Sequence, residues 1–284
     1  MAKTIFLVVI DPQNSFCKVV DPAQQQVIHE GELCVPGAWD DMSRLGVLVD
    51  RVGAKIEDIF ATMDNHHDLH IAHPCWLKAK GTGAPPPPFT CMSENNGVIT
   101  GSDGVTYEVF NPAYDAWTVQ YLRSLATGGR YPHVIWPPHC LIGSKGATIV
   151  EPVFESFLAW ERKYHAFVNY TAKGSNYRVE HFSAVRAEVA DPEDITNTGL
   201  NSEFIKLVSE GDIILLAGEA LSHCLANTVR DIANTFAQDE FIRKCVLLTD
   251  CSSNVPGYEN LGTDFVTEMT KRGMQTTTSV DFLA

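Results

Sequence analysis

Short, nearly unbroken apolar runs recur along the chain: Ile5–Ile10, Ile59–Met63, Val134–Trp136, Ala166–Val168, Ile213–Ala217 and Val246–Leu248. A strand with one wet face alternates apolar and polar residues. A run without that alternation suits a strand buried on both faces, as in a parallel sheet sandwiched between helices. The segments between the runs carry helical spacing. Trp39–Ile56 places Met42, Leu45, Leu48, Val49, Val52 and Ile56 at three- and four-residue steps, and Ser222–Phe236 and Tyr258–Arg272 read the same way. Strands alternating with helices predict an α/β fold, an open doubly wound (Rossmann-like) and mostly parallel sheet with helices on both faces. Cys75–Thr106, rich in Gly and Pro and containing Pro85–Pro88, breaks the rhythm before the α/β pattern resumes. The expectation is one domain over 1–284 with a long insertion at about 75–130. Loops of that length commonly serve as lids or binding loops.

Composition removes several classes. At 45% hydrophobic residues the chain is too apolar for a disordered protein. A formal net charge of −14 argues against a nucleic-acid binder, which needs a basic face to neutralise phosphates. The run Ile5–Ile10 stops at Asp11 with no small-residue cleavage site, so it reads as a buried first strand and not as a signal sequence. No run approaches the ~20 residues needed to span a bilayer. The eight cysteines form no CxxC pair and suit free thiols in a reducing compartment. A soluble, cytoplasmic protein without nucleic-acid or membrane partners is expected.

Ligands of an open parallel sheet bind beyond the carboxyl ends of its strands. Asp11, Asp64, the segment Trp136-Pro137-Pro138-His139 and the segment Gly218–Cys224 each follow an apolar run, so all are predicted to share one sheet edge. An Asp at a strand end is more often a cap or turn residue; it is the shared edge that favours function. Asp64, His66 and His70 crowd a carboxylate and imidazoles into seven residues, and His139 arrives from a neighbouring strand end. Such donors suit Zn²⁺, Fe²⁺ or Mn²⁺ equally and would leave positions open to water or substrate. His67 and His73 are also within reach but less well spaced. Cys224 stands where a buried strand turns into a helix. There the helix dipole and free amides favour a thiolate and could hold an oxyanion. A buried structural cysteine is the plainer alternative, and Cys17, Cys140 and Cys251 have weaker claims. Asp11 could accept the thiol proton and Lys173 could supply a cation, although a lysine before a glycine is most often a solvated turn residue.

Together these residues resemble the nicotinamidase group of the isochorismatase-like cysteine hydrolases. The segments that carry the resemblance run in order across most of the chain: Ile10-Asp11-Pro-Gln-Asn-Ser-Phe16-Cys17, Asp64-x-His66-x-x-x-His70, Trp136-Pro-Pro-His139-Cys140, Lys173-Gly174 and Gly218-Glu-Ala-Leu-Ser-His-Cys224. The resemblance implies the isochorismatase-like hydrolase fold and an Asp11–Lys173–Cys224 triad that hydrolyses a carboxamide through a thioester. It further implies an oxyanion hole from the backbone amides of Ala220 and Cys224, with a cis peptide before Ala220. One divalent metal ion, zinc foremost with iron or manganese as alternatives, would be held by Asp64, His66, His70 and His139 and take a pyridine nitrogen. Phe16, Trp136, Glu219 and His223 would bind the substrate. Ser15 and Ser222 stand where the family often has aspartates. The activity implied is conversion of nicotinamide to nicotinate and ammonia, in a homo-oligomer. The alternatives are the same triad acting on another small carboxamide or ureide, and an inactive binding protein on this fold. Vinyl-ether hydrolysis of the isochorismatase kind has no need of Cys224.

Overall fold

The computed structural model describes residues 3–21, 23–24, 26–236 and 239–284. Along the chain, β1 (Ile5–Ile10) is followed by the antiparallel pair β2 (Lys18–Val20) and β3 (Val27–Glu30), then by α1 (Ala38–Val52) and β4 (Ile56–Asp64). The next stretch supplies β5 (Leu77–Ala79), β6 (Cys91–Asn95), β7 (Val98–Gly101), β8 (Thr106–Val109), α2 (Asp115–Gly128) and β9 (His133–Val134). The α/β alternation then resumes with α3 (Glu151–Tyr164), β10 (Asn169–Lys173), α4 (Ile195–Thr198), α5 (Ser202–Ser209) and β11 (Ile213–Gly218). It closes with α6 (Ala226–Ala233), β12 (Cys245–Leu248), α7 (Glu259–Arg272) and β13 (Gln275–Thr277).

The central sheet has the order β10-β4-β1-β11-β12-β13, with every neighbouring pair parallel. Its middle strand explains the unbroken apolar run. All of β1 is buried: Leu7 and Val9 pack into the layer of α1 and α3 with Met42, Leu45, Val49, Phe157 and Trp160. Phe6, Val8 and Ile10 pack into the opposite layer with Phe204, Val229, Ile232, Phe265 and Met269. Burying one such large side chain contributes about 1.5–3 kcal/mol, so one strand anchors both helical layers.

Some sequence expectations shift. The helix expected at Trp39–Ile56 ends at Val52, and Ile56 already opens β4. Ala166–Val168 precedes β10 instead of forming it. Val134 belongs to a second, antiparallel sheet, β5-β8-β7-β6-β9, and not to the central one. That sheet, with α2, gives the 75–130 stretch its own buried cluster of Trp76, Leu77, Met92, Tyr107, Tyr121 and Leu122. Arg130 ties it to the rest of the chain through paired bonds to Glu188 and Asp231. All eight cysteines are free. Among the described residues no helix is long and apolar enough to cross a membrane.

Candidate active site

Strand register assembles the polar residues. Lys173 at the end of β10 pairs with Asp64 at the end of β4, and Gly218 at the end of β11 pairs with Ile10, the residue before Asp11. Asp11, Asp64, Lys173 and the turn after β11 therefore meet at the carboxyl edge of four adjacent strands. The approach at Gly218 is close: its φ is 114°, and a Cβ there would lie 2.0 Å from the Ile10 carbonyl oxygen. Only glycine fits. The Glu219–Ala220 peptide bond is cis, as the resemblance implies. Beyond it a π-helical turn, Leu221–Leu225, carries Cys224 and runs into α6.

The Lys173 ammonium is the hub. Its Nζ lies 2.9 Å from Asp11 Oδ2, 3.0 Å from Asp64 Oδ1 and 3.7 Å from Cys224 Sγ, and it donates to the His181 carbonyl at 2.9 Å. Burial acts to lower its pKa, but the two carboxylates and Cys224 prevail and hold it well above 10.5. For Asp11 burial prevails over the pull of Lys173 and raises the carboxyl above its usual 3.8. Its Oδ1 accepts from the Thr62 hydroxyl at 2.6 Å. Burial likewise pushes the Cys224 thiol well above 9.0, with Lys173 opposing and both aspartates adding to the rise. The direction is opposite to the one expected from a helix N-terminus. Burial and the two negative neighbours favour the protonated sulfur, and Lys173 opposes them.

A second cluster flanks the first. Donor atoms of Asp64, His66 and His139 all lie within 4.8 Å of one another. His66 donates its Nδ1 proton to the Gly174 carbonyl, and His139 donates its own to the Pro137 carbonyl. Each imidazole is left with Nε2 facing Asp64 Oδ2, at 2.9 and 3.5 Å respectively. Two lone pairs turned toward a carboxylate call for a cation between them, so this donor set fits a divalent metal. Burial acts to raise Asp64, but in the metal-free protein the charges of protonated His66 and of Lys173, with hydrogen bonds from His139 and His66, hold it well below 3.8. Gly174, at φ 81°, permits this crowding, since a Cβ there would stand 2.6 Å from Asp64 Oδ1.

His70 does not join the group. Its Nε2 donates to the Val179 carbonyl and its Nδ1 accepts the Ala72 N–H, so neither nitrogen is free to ligate. His67 is exposed. His73, set aside on spacing, is buried with Nδ1 donating to the Asp68 carbonyl and Nε2 without a partner.

Phe16, Trp136, Phe182, Ala220, His223 and Cys224 line a narrow cavity that also opens onto Asp64 and His139. Aromatic edges set its walls: the Trp136 ring meets His223 at 5.3 Å and Phe182 at 6.2 Å. The larger surface groove past Ile28, Trp39 and Phe154 contains none of these groups. No residue of 75–130 lines the cavity, so the lid expected there is absent from its wall. Phe89 instead braces Trp136 from behind, edge-on at 5.8 Å.

Glu219 is also misplaced by the sequence. It continues the parity of Leu215 and Ala217, which face α1, and its carboxyl turns the same way. Oε2 accepts the Ser253 N–H, while the Ser253 hydroxyl donates to Asp41 Oδ2 at 2.5 Å. Burial first, then Asp41, raise the Glu219 carboxyl well above 4.5. A carboxyl raised in the folded state is most stabilising below its unfolded pKa and loses that contribution as pH climbs toward the folded value. Glu219→Gln is therefore expected to stabilise the protein at pH 8 by about 2 kcal/mol and by much less at pH 5. Urea denaturation at the two pH values measures this, and an equal effect at both would contradict it.

Sequence reasoning missed Leu33 and Val255 on the cavity wall, and with them Glu180 and Phe182. The latter two lie in the irregular segment between β10 and α4, where no motif or period marks them.

No protein-family model matches the sequence, and no curated protein does. Solved structures do match in fold. The Acinetobacter baumanii nicotinamidase/pyrazinamidase aligns at TM-score 0.62 and 18% identity over 99% of each chain. The yeast nicotinamidase Pnc1p bound to the inhibitor nicotinaldehyde aligns at 0.60 and 17%, over 97% of this chain and 100% of that one. The pyrazinamidase of Pyrococcus horikoshii in complex with zinc aligns at 0.53 and 16%, over 96% and 98%. The chain has the fold of these proteins, as the resemblance implies.

Proposed function

We propose that the chain is a metal-dependent cysteine amidohydrolase that converts nicotinamide to nicotinate and ammonia. One observation carries the reading: Cys224, Lys173 and Asp11 form a buried cluster beside the Asp64–His66–His139 donors, at one aromatic-walled cavity. Solved relatives in fold include nicotinamidases and a zinc-bound pyrazinamidase, which supports the substrate class and favours zinc.

Asp11, a carboxylate with a raised pKa, takes the thiol proton as Cys224 Sγ bonds to the carboxamide carbon. The backbone amides of Ala220 and Cys224 hold the oxyanion. Asp11 passes the proton to the departing nitrogen, ammonia leaves and a thioester remains. A water deprotonated by Asp11 attacks that thioester, and the C–S bond breaks to release nicotinate and restore the thiol. Lys173 stays charged throughout, orienting Asp11 and stabilising the sulfur as it becomes negative. A metal held by Asp64, His66 and His139 would supply a Lewis acid for the pyridine nitrogen. Phe16 and Trp136 flank the ring, and Cys224 is presented by a turn with His223 on the cavity wall. The protein is read as a cytoplasmic homo-oligomer.

The test is ammonia release from nicotinamide by purified protein, before and after dialysis against a chelator. Turnover is expected to fall at least about tenfold on chelation and return with Zn²⁺. Turnover that survives complete metal removal would reduce the metal to a structural role. A protein inert to nicotinamide whose Cys224 is still alkylated by iodoacetamide would point to another small amide.

A further inference from the structure

One wall of the cavity holds a carboxylate with an unused oxygen. Glu180 is 5% exposed, its Oε1 accepts the His181 N–H at 2.8 Å, and its Oε2 has no hydrogen-bond partner. The backbone around it is fixed: Glu180 N–H donates to Tyr121 Oη at 3.1 Å, and its carbonyl accepts the Glu188 N–H at 2.8 Å. The side chain is thus delivered to the cavity it shares with Asp64 and His139. The titratable neighbours that act on it most strongly are His66, Asp64 and His139, all three members of the donor cluster.

A buried acceptor left unsatisfied costs about 1–3 kcal/mol, and such groups persist where a ligand or an ordered water supplies the missing partner. Glu180 is not itself part of the group whose ligand atoms converge within 4.8 Å, which among the described residues is Asp64, His66 and His139. Three protein donors leave positions to solvent. One carboxylate and two neutral imidazoles also leave a divalent ion with net positive charge. We propose that Glu180 is an outer carboxylate of the metal centre, its Oε2 accepting a hydrogen bond from a water on the ion held by Asp64, His66 and His139. It fixes that water and adds the second negative charge. The proposal rests on the metal-site reading above, and it gives a further positioning residue to that site.

The experiment titrates metal-free protein with Zn²⁺ and Co²⁺ against a competing chelator, with no amide present. Glu180→Gln keeps the shape and removes the charge, and Glu180→Ala removes both. The dissociation constant is expected to rise about tenfold in the first variant and toward 100-fold in the second. The visible spectrum of the Co²⁺ form should change in both, with no loss of Tm in metal-free Glu180→Gln. Affinities within twofold of wild type and an unaltered Co²⁺ spectrum overturn the proposal, as does a wild-type protein that binds neither ion. Ammonia release from nicotinamide is assayed in parallel. Weakened metal binding in the variants of a protein that ignores nicotinamide would support Glu180's role while removing the proposed substrate.

Discussion

Cys224→Ala is expected to lower kcat/KM for nicotinamide at least about 10⁴-fold, with the far-UV circular dichroism and the bound metal unchanged. The size follows from the surroundings of the thiol. Lys173 reaches Sγ at 3.7 Å and Asp11 at 2.9 Å, so the cluster is organised around a sulfur that must gain and lose charge. With the sulfur gone, Asp11 has no nucleophile to activate and no thioester can form. Cys224→Ser should be nearly as inactive, because a serine hydroxyl is a far weaker acid than the thiol it replaces. Residual turnover within tenfold of wild type in either variant would mean that a water attacks the amide directly, and the covalent route would have to be abandoned.

Lys173→Met is expected to cost about 3–5 kcal/mol of folding stability at pH 7 in the metal-free protein. The substitution keeps the volume but leaves Asp11 and Asp64, both buried, without the cation that stands 2.9 and 3.0 Å from them. The pH dependence carries a sign. In the wild type Asp64 is held well below 3.8, so its contribution is present above that pH and is lost only as pH falls through the depressed folded value. Without Lys173 the two carboxyls rise, and their stabilising contribution drains away as pH climbs above about 4. The deficit of the variant should therefore widen between pH 5 and pH 8. A loss under about 1 kcal/mol, flat across that range, would show that Lys173 is dispensable to the charge balance of the core.

What the sequence disclosed and what it hid follow from where information resides in a chain. The central strands β1, β4, β11 and β12 were legible because two helical layers bury both of their faces, which erases alternation. Edge strand β10 was not: its residues alternate between exposed and half-buried until Lys173, so the apolar run stops just before it. Val134–Trp136 looked like a central strand because a run of apolar residues does not name its partners. Asp11, Asp64 and Cys224 were found because each ends or follows a central strand, and strand order gathers them; Lys173 and His139 were named by the resemblance, since β10 was hidden and the run before His139 belongs to the second sheet. His70 was misjudged because spacing says nothing of whether both ring nitrogens are already engaged. Glu219 fell on the wrong side for want of strand parity. Glu180 is set by contacts with Tyr121 and Glu188, which no local pattern encodes.

A single ammonium shared by two carboxylates and a thiol also makes the site one thermodynamic unit. Any cation that settles on Asp64 frees a larger share of the Lys173 field for Asp11 and Cys224, and reciprocity requires that their deprotonation tighten the grip on that cation by the same free energy. The protons of this cluster belong to the ensemble and not to individual residues. Metal-free and metal-loaded protein are then different acids, and the pH optimum of the proposed activity becomes a readout of how fully the candidate metal site is filled.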